Sequence, residues 1–197
     1  MFIHVPKCAG MSVTKYLKSL SGDPVLIDSI NTDYYPHTNK RDFNLVKPDF
    51  TFAFIRNPFD RLVSAYKTKW VSEDYHQGGF KNFVKHYLGN QEANDNSDAG
   101  SFFRWSHVMP WTDPRMKLFD ADGNKRIDYY GRFENFSDEI EEIIKKLGLS
   151  NPKKFPHENN NHRKKHYSEM YDDETYAIAS KFYKTDLELS HYKFEEK

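Results

Sequence analysis

The sequence predicts an α/β fold built on a central, mainly parallel sheet flanked by helices, and three observations predict it. Short apolar runs alternate along the chain with segments whose apolar residues recur at helical spacing. The succession strand–turn–helix occurs twice, at "FIHVPKCAGMS" and again at "FAFIRNPFDRLVSAY". Both turns place a cation at the carboxyl end of a strand, the edge at which open α/β sheets bind ligands.

Taken in order, Phe2, Ile3, His4 and Val5 read as a strand. A helix starting near Ser12 follows, with Val13, Tyr16, Leu17 and Leu20 on its apolar face. Val25–Asp28 reads as a second short strand, and "NTDYYPHTNKRD" as polar loop. The run from Phe50 to Ile55 is β-type and is closed by Arg56-Asn57-Pro58. Pro58 suits a first helical turn, and Phe59, Leu62, Val63, Tyr66 and Trp70 continue that helix. Phe80, Phe83, Val84, Tyr87 and Leu88 mark another helix, and "GNQEANDNSDAG" reads as loop. "KLFDADGNKRIDYYGRFE" reads as a hairpin turning at Asp122-Gly123. Ser137 is expected to cap a helix with Ile140, Ile143, Ile144 and Leu147 on its buried face. Acidic residues fill that helix's first turn, Lys145 and Lys146 its last, and Gly148 ends it. A last helix is expected from about Asp172 to Leu187. No repeat or linker divides the chain, so one domain over residues 1–197 is expected.

A chain of 197 residues suffices for one full core and is short for two. Lys+Arg and Asp+Glu both total 29, so the net charge of zero argues against a nucleic-acid binder. The sole cysteine, Cys8, excludes an intramolecular disulfide and fits a reducing compartment. No apolar run approaches the roughly 20 residues needed to span a bilayer. No signal-peptide pattern precedes the first turn, and a cytoplasmic protein is expected.

Chemistry concentrates at the two turns. A small-residue turn with one Lys, leading into a helix whose first N–H groups have no intrahelical acceptor, makes an anion cradle. Lys7 stands before Gly10, the wrong order for the G-x-x-x-x-G-K-[ST] loop of nucleotide triphosphatases. Backbone N–H groups of Gly10 to Val13 and the Lys7 ammonium still suit a phosphate from two sides; the plainer alternative is an exposed Lys in a strand–helix turn. Arg56, closing a strand, and Ser64, on the polar side of the next helix, suit a second phosphate. A helix-start ion pair of Arg56 with Asp60 is the alternative there.

These motifs, in this order, closely resemble those of the carbohydrate sulfotransferases. Their relatives include Golgi enzymes that sulfate heparan, chondroitin and dermatan chains. "IDYYGRFENFSDEIEEIIKKLGL", "FPHENNNH" and "YKTDLELSHYKF" extend the resemblance over nearly the whole chain. It implies a P-loop-like, three-layer fold related to nucleotide kinases, with 3'-phosphoadenosine 5'-phosphosulfate (PAPS) as donor and 3'-phosphoadenosine 5'-phosphate (PAP) as product. It also implies that Lys7, Cys8, Ala9, Gly10, Met11, Ser12 and Val13 grip the 5'-phosphosulfate, and that Arg56 and Ser64 hold the 3'-phosphate. A basic segment in relatives extends this donor set to Arg163, with Lys164 beside it. No metal is expected, because Lys7 and the helix N-terminus supply the positive field that Mg²⁺ supplies in kinases. Relatives place a catalytic His or carboxylate between the two motifs, and His37 is the only His in that interval. A neutral imidazole suits a general base; a solvent-exposed loop His is the alternative, and His107 is the second candidate. Lys7 would also steady charge on the leaving phosphate.

Two departures qualify the resemblance. Met11 stands where relatives usually carry Thr, removing one hydroxyl from the 5' site. The membrane anchor and disulfides of Golgi relatives are absent, which points to a soluble bacterial-type or viral version acting in its cell's cytoplasm. The acceptor is expected to be a hydroxylated molecule, first a saccharide, walled by Tyr34–Lys40, Trp70–Gly79 and Phe102–Trp111. A kinase and a non-catalytic nucleotide or glycan binder remain as alternatives. "DADGNKRID" fails as a calcium loop, because Lys125 takes the place of its Gly and Gly131 that of its terminal Glu. His157, His162 and His166 lack the further ligands of a zinc site.

Overall fold

The computed structural model describes residues 1–20, 27–29, 48–68, 78–89, 99–149 and 165–195. The chain divides into two compact units, Met1–Arg56 with Trp111–Asn161, and Asn57–Pro110 with His162–Lys197.

The first unit holds a four-stranded sheet in the order β2-β1-β3-β4. Strand β1 (Phe2–His4) pairs in parallel with β2 (Ile27–Ser29) on one side and β3 (Phe52–Ile55) on the other, and β3 pairs in parallel with β4 (Tyr129–Arg132). The expected α/β class with a parallel sheet is therefore present. Every residue of β1 and β3 is buried, as in parallel strands covered on both faces. Helix α1 (Gly10–Leu20) begins two residues earlier than its apolar spacing indicates, because the turn itself winds directly into it.

The expected hairpin at residues 117–134 forms at its tip, around Asp122-Gly123, and beyond residue 126 gives way to a strand of the parallel sheet. Asp120 builds the turn, its Oδ1 accepting from the amides of Asp122 and Asn124 at 3.0 and 2.8 Å. Its flanks pair antiparallel at Phe119 and Lys125, with the Asp120 amide donating to Asn124 O at 3.0 Å and the Arg126 amide to Leu118 O at 2.8 Å. The chain then leaves its local partner because the edge of β3 offers a better one. Asp128 Oδ2 accepts from the Thr51 amide at 2.6 Å while the Asp128 amide donates to Thr51 O at 2.9 Å.

Between β4 and the next helix lies a 3₁₀ turn, Phe133–Asn135. Asn135 therefore takes the cap position of that helix (Phe136–Lys146) without a side-chain bond, and Ser137 lies inside the first turn rather than capping it. A Cβ on Gly131 would meet the Phe54 ring at 2.8 Å and Glu139 Cβ at 3.1 Å, so glycine there lets this helix lie close on the sheet. Phe136 packs on Phe54 with ring centroids 4.7 Å apart. Gly148, at φ +66°, ends the helix as expected.

The second unit is helical in its described residues. It contains α2 (Pro58–Tyr66), α3 (Gly79–Val84) continued by a π-helical turn (Lys85–Gly89), and α4 (Ala99–Ser106). The helix Phe136–Lys146 of the first unit is α5, and α6 (Asp173–Phe182) and α7 (Lys184–Ser190) complete the second. The expected groove-wall loop Phe102–Trp111 is thus helical over its first part, since residues 102–106 belong to α4. The single helix expected over 172–187 is two, parted at Tyr183, whose hydroxyl donates to Val108 O at 2.6 Å. Phe59, Tyr171 and Phe194 form an edge-to-face ring cluster with centroids 5.0–5.7 Å apart. No described helix is long and apolar enough to cross a membrane.

Candidate functional site

Strand order locates the site before any side chain is considered. From β1 the chain runs to β2 on one side, while β3 and β4 lie on the other. The carboxyl ends of β1 and β3 therefore flank a topological switch point, where such sheets bind ligands. The residues that follow those two ends are the Lys7 turn and Arg56.

The turn is built from backbone that residues with side chains rarely adopt. Lys7 has φ +67° and Ala9 φ +60°, each costing roughly 1–2 kcal/mol relative to right-handed backbone. Interleaving left-handed and right-handed residues makes successive N–H groups converge into an anion-binding nest. The first intrahelical bond of α1 runs from the Val13 amide to Ala9 O at 3.0 Å. The amides of Gly10, Met11 and Ser12 therefore precede the ladder and carry the helix's positive end, and no acidic residue stands in that first turn to oppose an anion. Cys8 and Val13 are buried and anchor the turn, the Cys8 amide donating to Val5 O at 3.3 Å. Lys7 and Ser12 are half-buried, and Met11 is 64 % exposed. Gly10 is required sterically: a Cβ there would lie 1.8 Å from Cδ2 and 2.1 Å from Nε2 of the buried His4 ring.

Arg56 is only 3 % exposed. Its Nη1 donates to Lys7 O at 3.2 Å, and its guanidinium carbon lies 4.2 Å from the centre of the Phe133 ring. Sheet register explains the contact with Phe133. Ile55 pairs with Arg132, so Arg56 and Phe133 are the next residues on neighbouring strands. The structure thus joins the two motif cations' segments, Lys7 and Arg56, within one unit. Phe133 and His4 are the participants that sequence reasoning missed. The only sequence signal for Phe133 is its place directly after the β-type run that pairs with β3.

Ser64 belongs to the second unit, half-buried on α2, and its carbonyl accepts from Thr68 Oγ1 at 2.9 Å. Asn57 fixes the start of that helix. Its Oδ1 accepts from the Phe59 amide at 3.1 Å, and its Nδ2 donates to Lys193 O at 2.9 Å. Arg61 is fully buried and donates to Met109 O at 2.6 Å. His107 is 1 % exposed, and its Nδ1 donates to Phe103 O at 2.8 Å, one turn back in α4. That bond puts the proton on Nδ1 and uses the ring to close the helix. His37, Arg163 and Lys164 lie outside the described residues. Among the described residues no group of three or more His, Cys, Asp or Glu is placed to hold a metal. Asp120 is engaged by its own turn.

The chain matches the family model described as "Sulfotransferase family" over residues 1–193. It is 26% identical to human carbohydrate sulfotransferase 9 over 212 aligned residues, covering 95% of this chain and 46% of the relative. It is 24% identical to rat carbohydrate sulfotransferase 11 over 189 residues, covering 79% of this chain and 52% of that protein. The chain thus spans about half the length of the curated relatives it matches. No solved structure matches it.

Proposed function

This chain belongs to the sulfotransferase family, and on that premise we propose that it moves a sulfuryl group from PAPS to a hydroxyl of a carbohydrate. One observation carries the donor assignment: a left-handed turn at Lys7 and Ala9, opening into the N-terminus of α1 at the switch point of the sheet. Its backbone donors, clear of carboxylates in the first helical turn, fit a 5'-phosphosulfate. PAPS, when bound, supplies an activated sulfuryl group. In this reading the amides of Gly10, Met11 and Ser12 orient the anion and Lys7 places a positive charge beside the phosphate, where negative charge develops. Arg56 and Ser64 recognise the 3'-phosphate, with Arg163 as an auxiliary cation. His37 takes the proton of the acceptor hydroxyl, a role worth about 10²–10⁴-fold in rate. Carbohydrate as the acceptor rests on the names of the relatives, both carbohydrate sulfotransferases.

Thermal shift tests the donor. PAP at about 100-fold over its Kd stabilises by about 2.7 kcal/mol, and the expected shift is far larger than that from AMP or ATP–Mg. Equal shifts from all three overturn the 3'-phosphate assignment. A labelled-donor assay over glycan pools tests the acceptor. In that assay His37→Ala is expected to lower turnover by about 10²–10⁴-fold while PAP affinity stays within about twofold. Full turnover in His37→Ala moves the base elsewhere.

A further inference from the structure

Arg56 does something in this structure that reading a 3'-phosphate does not require. Its buried guanidinium is laid on the Phe133 ring at 4.2 Å, and its Nη1 donates to the carbonyl of Lys7, 49 residues earlier. That carbonyl belongs to one of the two residues held at positive φ in the nest. Left-handed backbone in a residue with a side chain persists only when its surroundings hold it. The charge-assisted bond from Arg56 is one such hold, and the aromatic face fixes where the guanidinium sits. Resting on the donor assignment proposed above, we propose that Arg56 and Phe133 form a latch that keeps the Lys7–Ala9 turn in its anion-binding shape. Arg56 is thereby a positioning residue for the 5' end of the donor, in addition to any contact with the 3' end, and Phe133 positions Arg56.

A nucleotide that lacks the 3'-phosphate separates the two roles. ADP carries two tetrahedral groups at its 5' end, as phosphosulfate does, and only a hydroxyl at its 3' position. Calorimetric titration of the full chain with PAP and with ADP is compared for wild type, Arg56→Ala, Phe133→Leu and Ser64→Ala. The latch requires Arg56→Ala to weaken both ligands by about tenfold or more and Phe133→Leu to weaken both by about threefold. Ser64→Ala weakens PAP alone. If Arg56→Ala weakens PAP but leaves ADP within about twofold of wild type, Arg56 reads only the 3'-phosphate and the latch is overturned. If that variant fails to fold, Phe133→Leu decides: an unchanged ADP affinity overturns the latch and a weakened one supports it. General loosening is told from a local hold by Ala9→Gly, which removes the penalty of left-handed backbone at that position. The ADP penalty of Arg56→Ala shrinks in that background if the arginine acts through the turn. An undiminished penalty overturns the latch. Amide hydrogen exchange gives a ligand-free reading, with Cys8 to Val13 exchanging faster in Phe133→Leu than in wild type. Faster exchange in a protein that binds neither nucleotide supports the latch and overturns the donor assignment; unchanged exchange overturns the latch.

Discussion

His4 and Gly10 show how tightly the nest is backed from below. Glycine in a helix ordinarily costs about 0.5–1 kcal/mol relative to alanine, so replacing one normally stabilises. At Gly10 the sign reverses. The added methyl would lie 1.8 Å from a ring carbon of His4, a residue only 3 % exposed. Gly10→Ala is expected to destabilise by about 1–3 kcal/mol, the usual range for an overpacked interior, and to weaken PAP binding by displacing the amides beside it. Urea denaturation and a PAP titration check both effects. His4→Ala in the same chain opens the space and is expected to recover part of the loss. Recovery of neither stability nor binding would show that His4 is not what Gly10 accommodates.

At the scale of elements, the clearest charge-dependent contact lies at the start of α6, within the second unit. Asp172 caps that helix, its Oδ1 accepting from the Thr175 amide at 2.8 Å, while its Oδ2 meets Lys81 Nζ of α3 at 2.8 Å. The hydrogen bond from Lys81, then those from Thr175, hold the Asp172 carboxyl far below the ordinary carboxylate range. A folded pKa below the unfolded one contributes stability that is complete above the unfolded value, near 3.9. It declines as pH falls below that value and is gone once pH is below the folded one. Asp172→Asn retains a capping oxygen and removes the charge. Its melting temperature is expected to lie below wild type at pH 7 and to converge on it as pH drops from about 4 toward 2. A gap that persists undiminished to acid pH would assign the loss to the cap rather than to the ion pair. The pair is solvent-exposed, so raising the salt concentration narrows the gap as well.

For the whole molecule, local periodicity announced most elements and almost none of their partners. The start of α2, the apolar β1 and β3 runs and the Gly148 stop all follow from residues within one or two turns of each other. The fate of residues 129–132 does not. It is decided by Thr51, 77 residues away from Asp128 in the chain, whereas the local Asp122-Gly123 signal encodes only the turn and the short pairing beside it. The same distant pairing sets the position of Phe133, because the hairpin tip alone does not carry it to the end of β3. The break at Tyr183 follows from a bond to Val108, which no helical periodicity encodes. Of the candidate site, the 5' turn and Arg56 were legible as motifs; the bond between them was not. Charge is the one whole-molecule property that composition fixes directly, and it bears on how the proposed donor would arrive. Equal totals of 29 cationic and 29 anionic residues leave no net field to draw in an anion from a distance. Attraction by Lys7 and Arg56 is then felt only close to the site, after encounter. Between about 0.01 and 0.1 M salt the Debye length shrinks from about 30 to about 10 Å, removing long-range steering and leaving contact interactions. Stopped-flow measurement with a fluorescent PAP analogue is expected to show kon falling by less than about threefold over this range, with the weakening of Kd carried by koff. A steep fall of kon would mean that the cations cluster on one face and steer the donor despite the molecule's neutrality.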